Sequence, residues 1–508
     1  MDATDSRQNL RPEDARRARL ELAAACAEVV GADGVLVSDE ERLAYDVDGF
    51  TLEKHPPDVV VLPRSTADVS ALLVLARARK IPVTARGAGT GLAGGALPAD
   101  GGILLSTARM DRILALDGPD RFAIVQPGVV NLHLSQAAAP LGLFYAPDPS
   151  SQMASTLGGN AATNAGGPHC LKYGMTHQHV MGLTFVLEDG TVVTAGGPAA
   201  DAPGLDLVGA MVGSEGTFAI VTELVVRLVP RPETVRTFLA TFDTVEAAAE
   251  VVSAIIAQGI IPAALEMMDH LTIVAVEPYV HLGLPLDAGA ALLVELDGPA
   301  AVMDRRAREI HALCGVHGAH AIREARDETE RALLWKARKG AFGAMGRLAN
   351  GFYVMDGVVP RTRLPEALQA IAEIGRDLDL RIANVFHAGD GNLHPNVLYD
   401  VDDPESVARA LEASERILEA CVALGGSLSG EHGIGSEKRE LMHLLFSEHD
   451  LAQFAALRRA FDPAGRLNPK KVLPLGKGCG EARGLHALPG MRGGLAGSAQ
   501  DLGEGPWI

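Results

Sequence analysis

The run Arg86-Gly-Ala-Gly-Thr-Gly-Leu-Ala-Gly-Gly95 constrains the fold of this chain more than any other segment. Read from Gly89, it matches the G-x-G-x-x-G spacing of dinucleotide-binding folds. Those folds need a helix directly after the glycines, because the helix N-terminus meets the pyrophosphate. Pro98 and Gly101 forbid that helix, and no Lys-Ser or Lys-Thr pair follows to form a P-loop. The run therefore predicts a coil of backbone N–H groups that can surround a phosphate, with an ordinary flexible loop as the alternative.

Further segments of small residues follow the glycine-rich run. Pro147-Asp-Pro-Ser-Ser151 and Ser155–Gly167 lie close together, and Gly213-Ser-Glu-Gly-Thr217 precedes a predicted strand. Segments without bulky side chains allow the backbone to approach a ligand closely. Several of them in one region predict a site for a large, flat ligand.

The charge and the cysteines exclude several classes of protein. Over 508 residues, 45 Lys and Arg stand against 64 Asp and Glu, a net charge of −19, which does not suit a nucleic-acid-binding surface. The five cysteines are far apart, which excludes a disulfide framework and an iron–sulfur cluster held by this chain alone. No apolar stretch has the length of a membrane span, and the N-terminus lacks a signal-peptide pattern. We therefore expect a cytoplasmic protein without a direct membrane span.

The chain is predicted to be of the α+β class. Over residues 50–230 short strands alternate with turns, and Asp189-Gly190 predicts a two-residue hairpin loop. Pro230-Arg-Pro232 marks a boundary, since its prolines end any strand. Beyond it we expect a helix over 323–345 and one strand over 352–359, within a sheet covered by helices. The predicted parts are a helical lead-in (1–50), a first domain (51–232), a second domain (233–474) and a disordered tail (475–508).

Glycine-rich stretches of the second domain also carry histidines and carboxylates. His387-Ala-Gly-Asp-Gly-Asn-Leu-His394 follows a predicted strand, and Glu431-His432 comes about 40 residues later. Two histidines and a carboxylate form a common ligand set for a divalent metal with open positions. Asp390 is expected to orient a ligand, and His432 is a candidate base, because imidazole beside a cation can stay neutral at pH 7. The alternative is a pair of glycine loops with incidental histidines.

The small-residue segments of the first domain, in this order and spacing, resemble the FAD-binding domain of the vanillyl-alcohol-oxidase/p-cresol-methylhydroxylase superfamily. The resemblance implies that the glycine-rich run wraps the pyrophosphate of FAD and that later segments line the ribityl chain and the isoalloxazine. The residues it implicates are Arg86, Gly87, Ala88, Gly89, Thr90, Gly91, Pro147, Asp148, Ser150, Ser151, Thr156, Gly159, Asn160, Asn164, Glu215, Gly216 and Ile220. Some members attach the flavin through His or Cys, and His169-Cys170 raises that question. We expect a noncovalent FAD, as in most relatives of this branch.

The histidine motifs, together with Leu334–Gly340 and Phe461–Lys470, are similar to the FAD-linked D-2-hydroxyacid dehydrogenases and oxidases, in the branch of the glycolate oxidase D subunits. The resemblance runs from about residue 10 to residue 474. It implies a zinc or manganese ion held by His387, His394 and Glu431.

The same resemblance implies roles in catalysis. His432 would be the catalytic base, and Arg338 would clamp the substrate carboxylate. Asn396 would touch the substrate, and Asn468 would close over the flavin. Taken alone, Arg338 is read as a charge on a helix surface. Relatives that act on D-2-hydroxyglutarate carry a lysine near the strand where this chain has Met355, which cannot hold a distal carboxylate.

The resemblance implies an enzyme that oxidises a short D-2-hydroxy acid, glycolate or D-lactate, to the 2-oxo acid. Hydride would pass from C2 to flavin N5, while the metal lowers the pKa of the hydroxyl. Electrons would reach a non-oxygen acceptor through a companion FAD subunit and an iron–sulfur subunit, which would hold the protein at the periphery of the inner membrane. The alternatives are a metal-dependent hydrolase without flavin, a D-2-hydroxyglutarate-type dehydrogenase and a non-catalytic scaffold subunit.

Overall fold

The computed structural model describes residues 11–199 and 203–475. The predicted disordered tail therefore lies outside the described residues, apart from its first residue, Leu475. Within the described ranges, no helix combines the length and the apolar character that crossing a membrane requires.

A mostly parallel sheet opens the structure and carries the glycine-rich run. Its strands are β1 (Val35–Leu36), β2 (Val59–Val61), β3 (Val83–Arg86) and β4 (Ile103–Ser106), in the order β1-β2-β4-β3, and its helices are α1 (Pro12–Val30), α2 (Asp39–Leu43) and α3 (Thr66–Ala78). Strand β2 is wholly buried, as a central strand of a parallel sheet should be. A capping box begins α3, where the Ser65 side chain accepts from Asp68 N and the Asp68 carboxylate accepts from Ser65 N. The glycine-rich run leaves directly from the end of β3.

An antiparallel sheet follows. Its strands are β5 (Ile113–Asp117), β6 (Phe122–Val125), β8 (Val180–Val186), β9 (Val192–Gly196) and β10 (Ile220–Arg227), in the order β5-β6-β10-β8-β9. Beside it lie β7 (Leu143–Phe144), paired with β11 (Val229–Pro230), and the helices α4 (Asn131–Ala138), α5 (Leu157–Thr163), α6 (Cys170–Tyr173) and α7 (Leu207–Met211). The predicted hairpin joins β8 to β9. Leu187 and Thr191 form its last backbone pair, because Leu187 N donates to Thr191 O. The loop therefore has three residues rather than two, with Gly190 at φ +87°.

A larger sheet forms the second half. Its strands are β12 (Thr234–Phe242), β13 (Ala264–Asp269), β14 (Ala290–Gly298), β15 (Ala321–Glu324), β16 (Gly351–Val354), β17 (Gly357–Val358), β18 (Arg381–His387), β19 (Asn392–Leu393) and β20 (Pro395–Tyr399). The order is β15-β12-β14-β13-β18-β19-β17, and β20 pairs with both β16 and β18. Pro230 lies in β11, so the predicted boundary is a short paired strand rather than a free link.

Helices cover this sheet, as predicted, and they lie on both of its faces. The helices of this half are α8 (Val245–Ala257), α9 (His270–Val280), α10 (Ala300–Val316), α11 (Glu328–Lys339), α12 (Ala341–Met345), α13 (Leu364–Asp377), α14 (Pro404–Ala423) and α15 (Glu448–Phe461). Across both halves, short 3₁₀ helices cover 32–34, 107–109, 139–141, 176–178, 361–363 and 439–444. One face packs against α8, α10, α13 and α14, through residues such as Val251 and Ile371. The other face packs against α9, α11 and α12, through residues such as Ile273 and Leu334. The α+β class is therefore confirmed.

Two predicted elements of this half are wrong in extent. The single helix over 323–345 is a strand, β15, followed by α11 and α12, because the Asp327 side chain caps α11 by accepting from Glu330 N. The single strand over 352–359 is broken between β16 and β17 at Asp356, whose buried carboxylate accepts hydrogen bonds from another loop. The prediction also omitted β13, since a strand buried along its whole length shows no polar alternation.

The chain returns to the first sheet near its C-terminal end. Val83 N donates to Arg466 O at 2.9 Å, and Asn468 N donates to Val83 O at 2.8 Å. Leu467 thereby pairs in parallel with β3, beyond the strands that the N-terminal part supplies. The first sheet is thus completed by residues from the far end of the chain.

A charged contact joins the two halves at His169. Its Nδ1 lies 2.9 Å from Asp148 Oδ2, and its Nε2 lies 3.3 Å from Glu295 Oε1 on β14. Burial alone would lower the pKa of His169, but the two carboxylates outweigh it and raise the pKa to about 10. His169 is therefore an imidazolium between two carboxylates at neutral pH.

We expect His169 to stabilise the fold more at neutral than at alkaline pH. Its folded pKa of about 10 lies above the ordinary value of about 6.5, so the stabilisation is complete below about pH 6.5 and is lost as the pH rises through about 10. His169→Gln removes this contribution. Urea denaturation at about pH 6.5, 8 and 10 should show a free energy of unfolding that falls more steeply for the wild type. Parallel pH profiles for the two proteins would contradict the assignment.

Candidate active site

A cavity of about 660 Å³ lies between the first half and the large sheet. Its wall contains most of the predicted cofactor residues, namely Arg86, Gly87, Ala88, Gly89, Thr90, Gly91, Ser150, Ser151, Thr156, Gly159, Asn160, Glu215, Gly216 and Ile220. The second half contributes residues from α11 to β16, and the dipeptide Glu431-His432. The structure therefore brings the separate small-residue segments together around one space.

The glycine-rich run presents an uncovered backbone to this cavity. From Ala88 to Gly91, the backbone N–H groups donate to no other described residue. Gly89 adopts φ +71°, and a Cβ built on Gly87 would lie 2.3 Å from Thr156 Oγ1, so both positions require glycine. Successive free N–H groups form a concave site for an anion. The run therefore fits a pyrophosphate.

Arg86 supports the run from the side. Its Nη1 donates to Val47 O at 2.7 Å, and its guanidinium carbon lies 5.5 Å from the centre of the Tyr45 ring. A Cβ on Gly89 would lie 2.2 Å from Arg86 Nη2. The guanidinium thus packs beneath the glycines and adds positive charge to the anion site.

Several predicted cofactor residues lie behind the cavity wall rather than in it. Pro147 O accepts from Asn131 Nδ2 at 2.9 Å, and the Asp148 carboxylate pairs with His169. Asn164 ends α5 at φ +52°, where its side chain accepts from His177 N. These residues shape the segments that line the cavity, and their direct contact with a cofactor stays a prediction.

Glu215, which lies in the cavity wall, and Asn468 connect segments that are distant in the sequence. Glu215, at φ +52°, accepts from Ile434 N at 2.6 Å and Gly435 N at 2.8 Å, and burial raises the pKa of its carboxyl. Asn468 Nδ2 donates to Gly95 O and to Glu215 O, at 2.8 and 2.7 Å. The loop that carries Glu431 is therefore anchored to the first half through Glu215.

The predicted metal ligands converge around Glu431, which lies in the cavity wall. Glu431 Oε1 lies 3.3 Å from His387 Nε2 and 3.0 Å from His394 Nε2, and one ligand atom from each residue lies within 4.8 Å of the others. The remaining ring nitrogens face other partners: His387 Nδ1 faces Glu266 at 2.8 Å, and His394 Nδ1 faces Met355 O at 3.0 Å. Ligand histidines usually make such contacts through their second nitrogen. The residues therefore fit a divalent metal.

Glu266 is a residue of the site that was not predicted from the sequence. It lies on β13, is almost fully buried, and contacts both His387 and Arg338, the latter at 2.6 Å. The prediction that Asp390 orients a ligand is wrong, because its carboxylate accepts from Asn392 N while Glu266 holds the His387 ring. A glutamate inside an apolar run, Ala264-Leu-Glu-Met-Met268, was the available signal.

Arg338 and Asn396 are fully buried behind the metal-ligand set. Arg338 Nη2 contacts Glu266, while its Nε and Nη1 are buried without a hydrogen-bond partner among the described residues. Asn396 Nδ2 donates to His394 O at 2.8 Å, and its Oδ1 is likewise buried without a partner. Arg338 is therefore not a surface charge. Its unpaired donors suit an anionic ligand.

Asp356 holds the loop of Glu431 and His432 in place. Its Oδ1 accepts from Glu431 N at 3.1 Å, and its Oδ2 accepts from His432 N at 2.9 Å and from Ser429 Oγ at 2.6 Å. The neighbouring Met355 is buried in the core and lies outside the cavity wall. The Met355 side chain therefore does not face the cavity and is not in a position to contact a substrate there.

His432 lies in the cavity wall beside the metal-ligand set. Its ring stacks on His394, with centres 5.0 Å apart, and its Nδ1 is buried without a hydrogen-bond partner among the described residues. Burial lowers the pKa of His432 to about 4, although Asp356 opposes the shift. A neutral imidazole at the end of a cavity can accept a proton from a bound ligand.

Comparison with known proteins agrees with this architecture. The profile described as an FAD binding domain matches residues 57–196, and the profile described as the C-terminal domain of FAD linked oxidases matches residues 231–472. The chain superposes on a crystal structure of p-cresol methylhydroxylase with a TM-score of 0.74, at 16% identity, over 90% of this chain and 97% of the other. The fold is therefore the FAD-binding fold of the vanillyl-alcohol-oxidase/p-cresol-methylhydroxylase superfamily, as predicted.

Similarity in sequence goes further than the fold. The chain is 47% identical to the glycolate oxidase subunit GlcD of Escherichia coli K12 over 456 residues. The matched residues are 90% of this chain and 91% of that protein. It is 31% identical over 450 residues to a D-lactate dehydrogenase of Anaerostipes hadrus, which covers 86% and 94%. The chain belongs to this family of FAD-linked oxidases and is an FAD-linked oxidoreductase. The hydrolase without flavin is thereby excluded, whereas the domain limits stay predictions.

We expect one noncovalently bound FAD per chain. His169 and Cys170, the residues considered for attachment, lie outside the cavity wall, and both ring nitrogens of His169 face carboxylates. Acid precipitation of the purified protein should leave the yellow chromophore in the supernatant. Colour that remains with the pellet would show a covalent bond instead.

Proposed function

We propose that the protein oxidises a short D-2-hydroxy acid, glycolate or D-lactate, to the 2-oxo acid with the help of a divalent metal, zinc or manganese. The observation that carries the proposal is that Glu431 and His432 lie in the cavity wall, and Glu431 also belongs to the metal-ligand set. A substrate bound there would lie between the flavin site and the metal site. The names of the relatives, glycolate oxidase subunit and D-lactate dehydrogenase, support the substrate class.

The residues of the site divide the work between binding and proton transfer. Arg338 has buried donors without partners, which suit the substrate carboxylate. Asn396 positions His394 by donating a hydrogen bond from its side-chain amide to the backbone oxygen of His394. His432 takes the proton of the substrate hydroxyl, because its ring lines the cavity beside the metal-ligand set and burial keeps its pKa low. When bound, FAD supplies the hydride acceptor, and the metal supplies Lewis acidity toward the hydroxyl.

The preference for a monocarboxylate rests on charge in the cavity wall. A second carboxylate buried without a partner costs several kcal/mol. Among the described wall residues, the cations are Arg86, beneath the glycine-rich run, and Lys339, whose Nζ lies 3.8 Å from Asp148 Oδ2. A D-2-hydroxyglutarate-type activity would have to draw on Lys339 at the expense of its contact with Asp148.

A substrate panel tests the proposed reaction. With dichlorophenolindophenol as acceptor, we expect the highest kcat/KM for glycolate or D-lactate, with L-lactate and D-2-hydroxyglutarate lower. A higher kcat/KM for D-2-hydroxyglutarate would contradict the monocarboxylate preference and point to Lys339, whose replacement by Met would then abolish it.

His432→Ala should separate proton transfer from cofactor binding. We expect the variant to keep its flavin absorbance while the rate of flavin reduction falls by a factor on the order of 10² or more, as for loss of a general base. His387→Ala should instead lose the metal. The matched control is His133→Ala, which changes an exposed histidine on α4. Reduction at the wild-type rate in His432→Ala, or in chelator-treated wild type, would reject the base or the metal, respectively.

We further propose that electrons leave the flavin for an acceptor other than oxygen. The four described cysteines, Cys26, Cys170, Cys314 and Cys421, are separate free thiols and do not form a cluster that could hold a second redox centre. A companion FAD subunit and an iron–sulfur subunit would then receive the electrons. The protein would be cytoplasmic and attached to the inner membrane only through these partners.

Stopped-flow spectroscopy on the isolated chain tests the acceptor. Substrate should bleach the flavin within the first turnover, whereas reoxidation by oxygen or NAD should be much slower than reoxidation by dichlorophenolindophenol. Fast turnover with oxygen alone, with stoichiometric peroxide, would make the protein a self-sufficient oxidase and remove the need for partners.

A further inference from the structure

One segment of the first half, residues 165–173, runs from the cavity wall onto the metal-ligand set; we call it the strap. It begins at Ala165, which lines the cavity and whose backbone oxygen accepts from Thr176 Oγ1 at 2.6 Å. Its second residue, Gly166, faces Glu431 so closely that a built Cβ would lie 2.9 Å from Glu431 Oε2 and 3.2 Å from Glu431 Cβ. Cys170 Sγ lies 3.1 Å from the same built Cβ, and Gly166 does not have a positive φ, so contact with Glu431 and Cys170 is what restricts this position.

The strap also contacts the loop between the other two ligands. A Cβ built on Gly389 would lie 2.7 Å from Leu171 Cδ2, and Gly389 comes two residues after His387. Leu171 is half-buried and packs on the core of the second half. The strap therefore contacts the ligand set at two places: Gly166 contacts Glu431, and Leu171 contacts the loop that follows His387.

Polar contacts fix the far end of the strap to β14. Lys172 Nζ and Tyr173 Oη both donate to the Asp297 carboxylate, and His169 Nε2 faces Glu295. Glu295 is itself held by other groups of its own half, since it accepts from Arg331 Nε at 2.9 Å, Trp335 Nε1 at 2.6 Å and Thr237 Oγ1 at 2.7 Å. The C-terminal half of the strap is thus anchored to β14.

We propose that the strap is a positioning device that sets the place of Glu431 and of the His387–His394 loop relative to the cavity wall. Gly166 and Leu171 are positioning residues. The contacts of the strap with Glu295 and Asp297 fix the distance of these two residues from the metal-ligand set. The proposal rests on the metal site of the proposed function. Its direct consequence is that metal affinity depends on residues that do not touch the metal.

The principal test is Gly166→Ala in the full-length, FAD-loaded protein. The added methyl group would lie 2.9 Å from Glu431 Oε2, with Cys170 Sγ on its other side at 3.1 Å, so we expect Glu431 to shift and Mn²⁺ to bind about 10- to 100-fold more weakly, as for loss of a group that orients a metal ligand. Affinity is measured without substrate, from the electron paramagnetic resonance of free Mn²⁺. The FAD content should not change. The matched control is Gly343→Ala on α12, where a built Cβ meets nothing within 4 Å.

Two further variants guard against a Gly166→Ala protein that does not fold. Leu171→Ala releases the contact with Gly389, and Tyr173→Phe removes one donor to Asp297, so both should weaken Mn²⁺ binding in the same direction. Lys172→Arg keeps the charge and should retain wild-type affinity. Wild-type affinity in Gly166→Ala, Leu171→Ala and Tyr173→Phe would overturn the strap while leaving the metal site intact. A wild-type protein that binds neither Mn²⁺ nor Zn²⁺ would instead overturn the metal part of the proposed function, and the strap with it.

Discussion

The site depends on one arrangement of buried carboxylates around the loop 429–435. Asp356 accepts from the backbone of Glu431 and His432, and Glu215 accepts from the backbone of Ile434 and Gly435. A loop rich in glycine has no helix or strand to satisfy these N–H groups, and leaving them unpaired in the interior would be costly. Because Glu215 belongs to the first half and Asp356 to the second, the loop takes its shape only when both halves are in place. The base, the carboxylate ligand and the cavity end all follow from that shape.

The parts of the site that the sequence predicted are those whose chemistry is local. The glycine-rich run and the segments around Thr156 and Glu215 require small residues over consecutive positions, so they leave a visible pattern. His387, His394 and Glu431 were found for a similar reason, since their glycine-rich surroundings mark tight turns. Their convergence agrees with the prediction, and so does the α+β fold of the family.

The parts of the site that the sequence did not predict depend on partners far away in the chain. Glu266 supports His387 from more than 100 residues away, and nothing in its neighbourhood other than burial distinguishes it. Asp390, adjacent in sequence, was the natural choice and is wrong, because the turn between β18 and β19 directs its carboxylate to Asn392 N. Met355 follows the last residue of β16, and its side chain packs in the core. Orientation of a side chain is set by tertiary packing, and no local pattern records it.

The pairing of Leu467 with β3 has a consequence for the order of events during synthesis. Val83 leaves the ribosome about 380 residues before its partner, which at about 5 to 20 residues per second is a delay of roughly 20 to 80 seconds. Until then the nascent sheet has an open edge beside the glycine-rich run, and such edges are prone to pair with other chains. The nascent chain must therefore keep this edge covered or reach the end of translation quickly. The flavin site is one of the last features to be finished, although its main motif is among the first to be made.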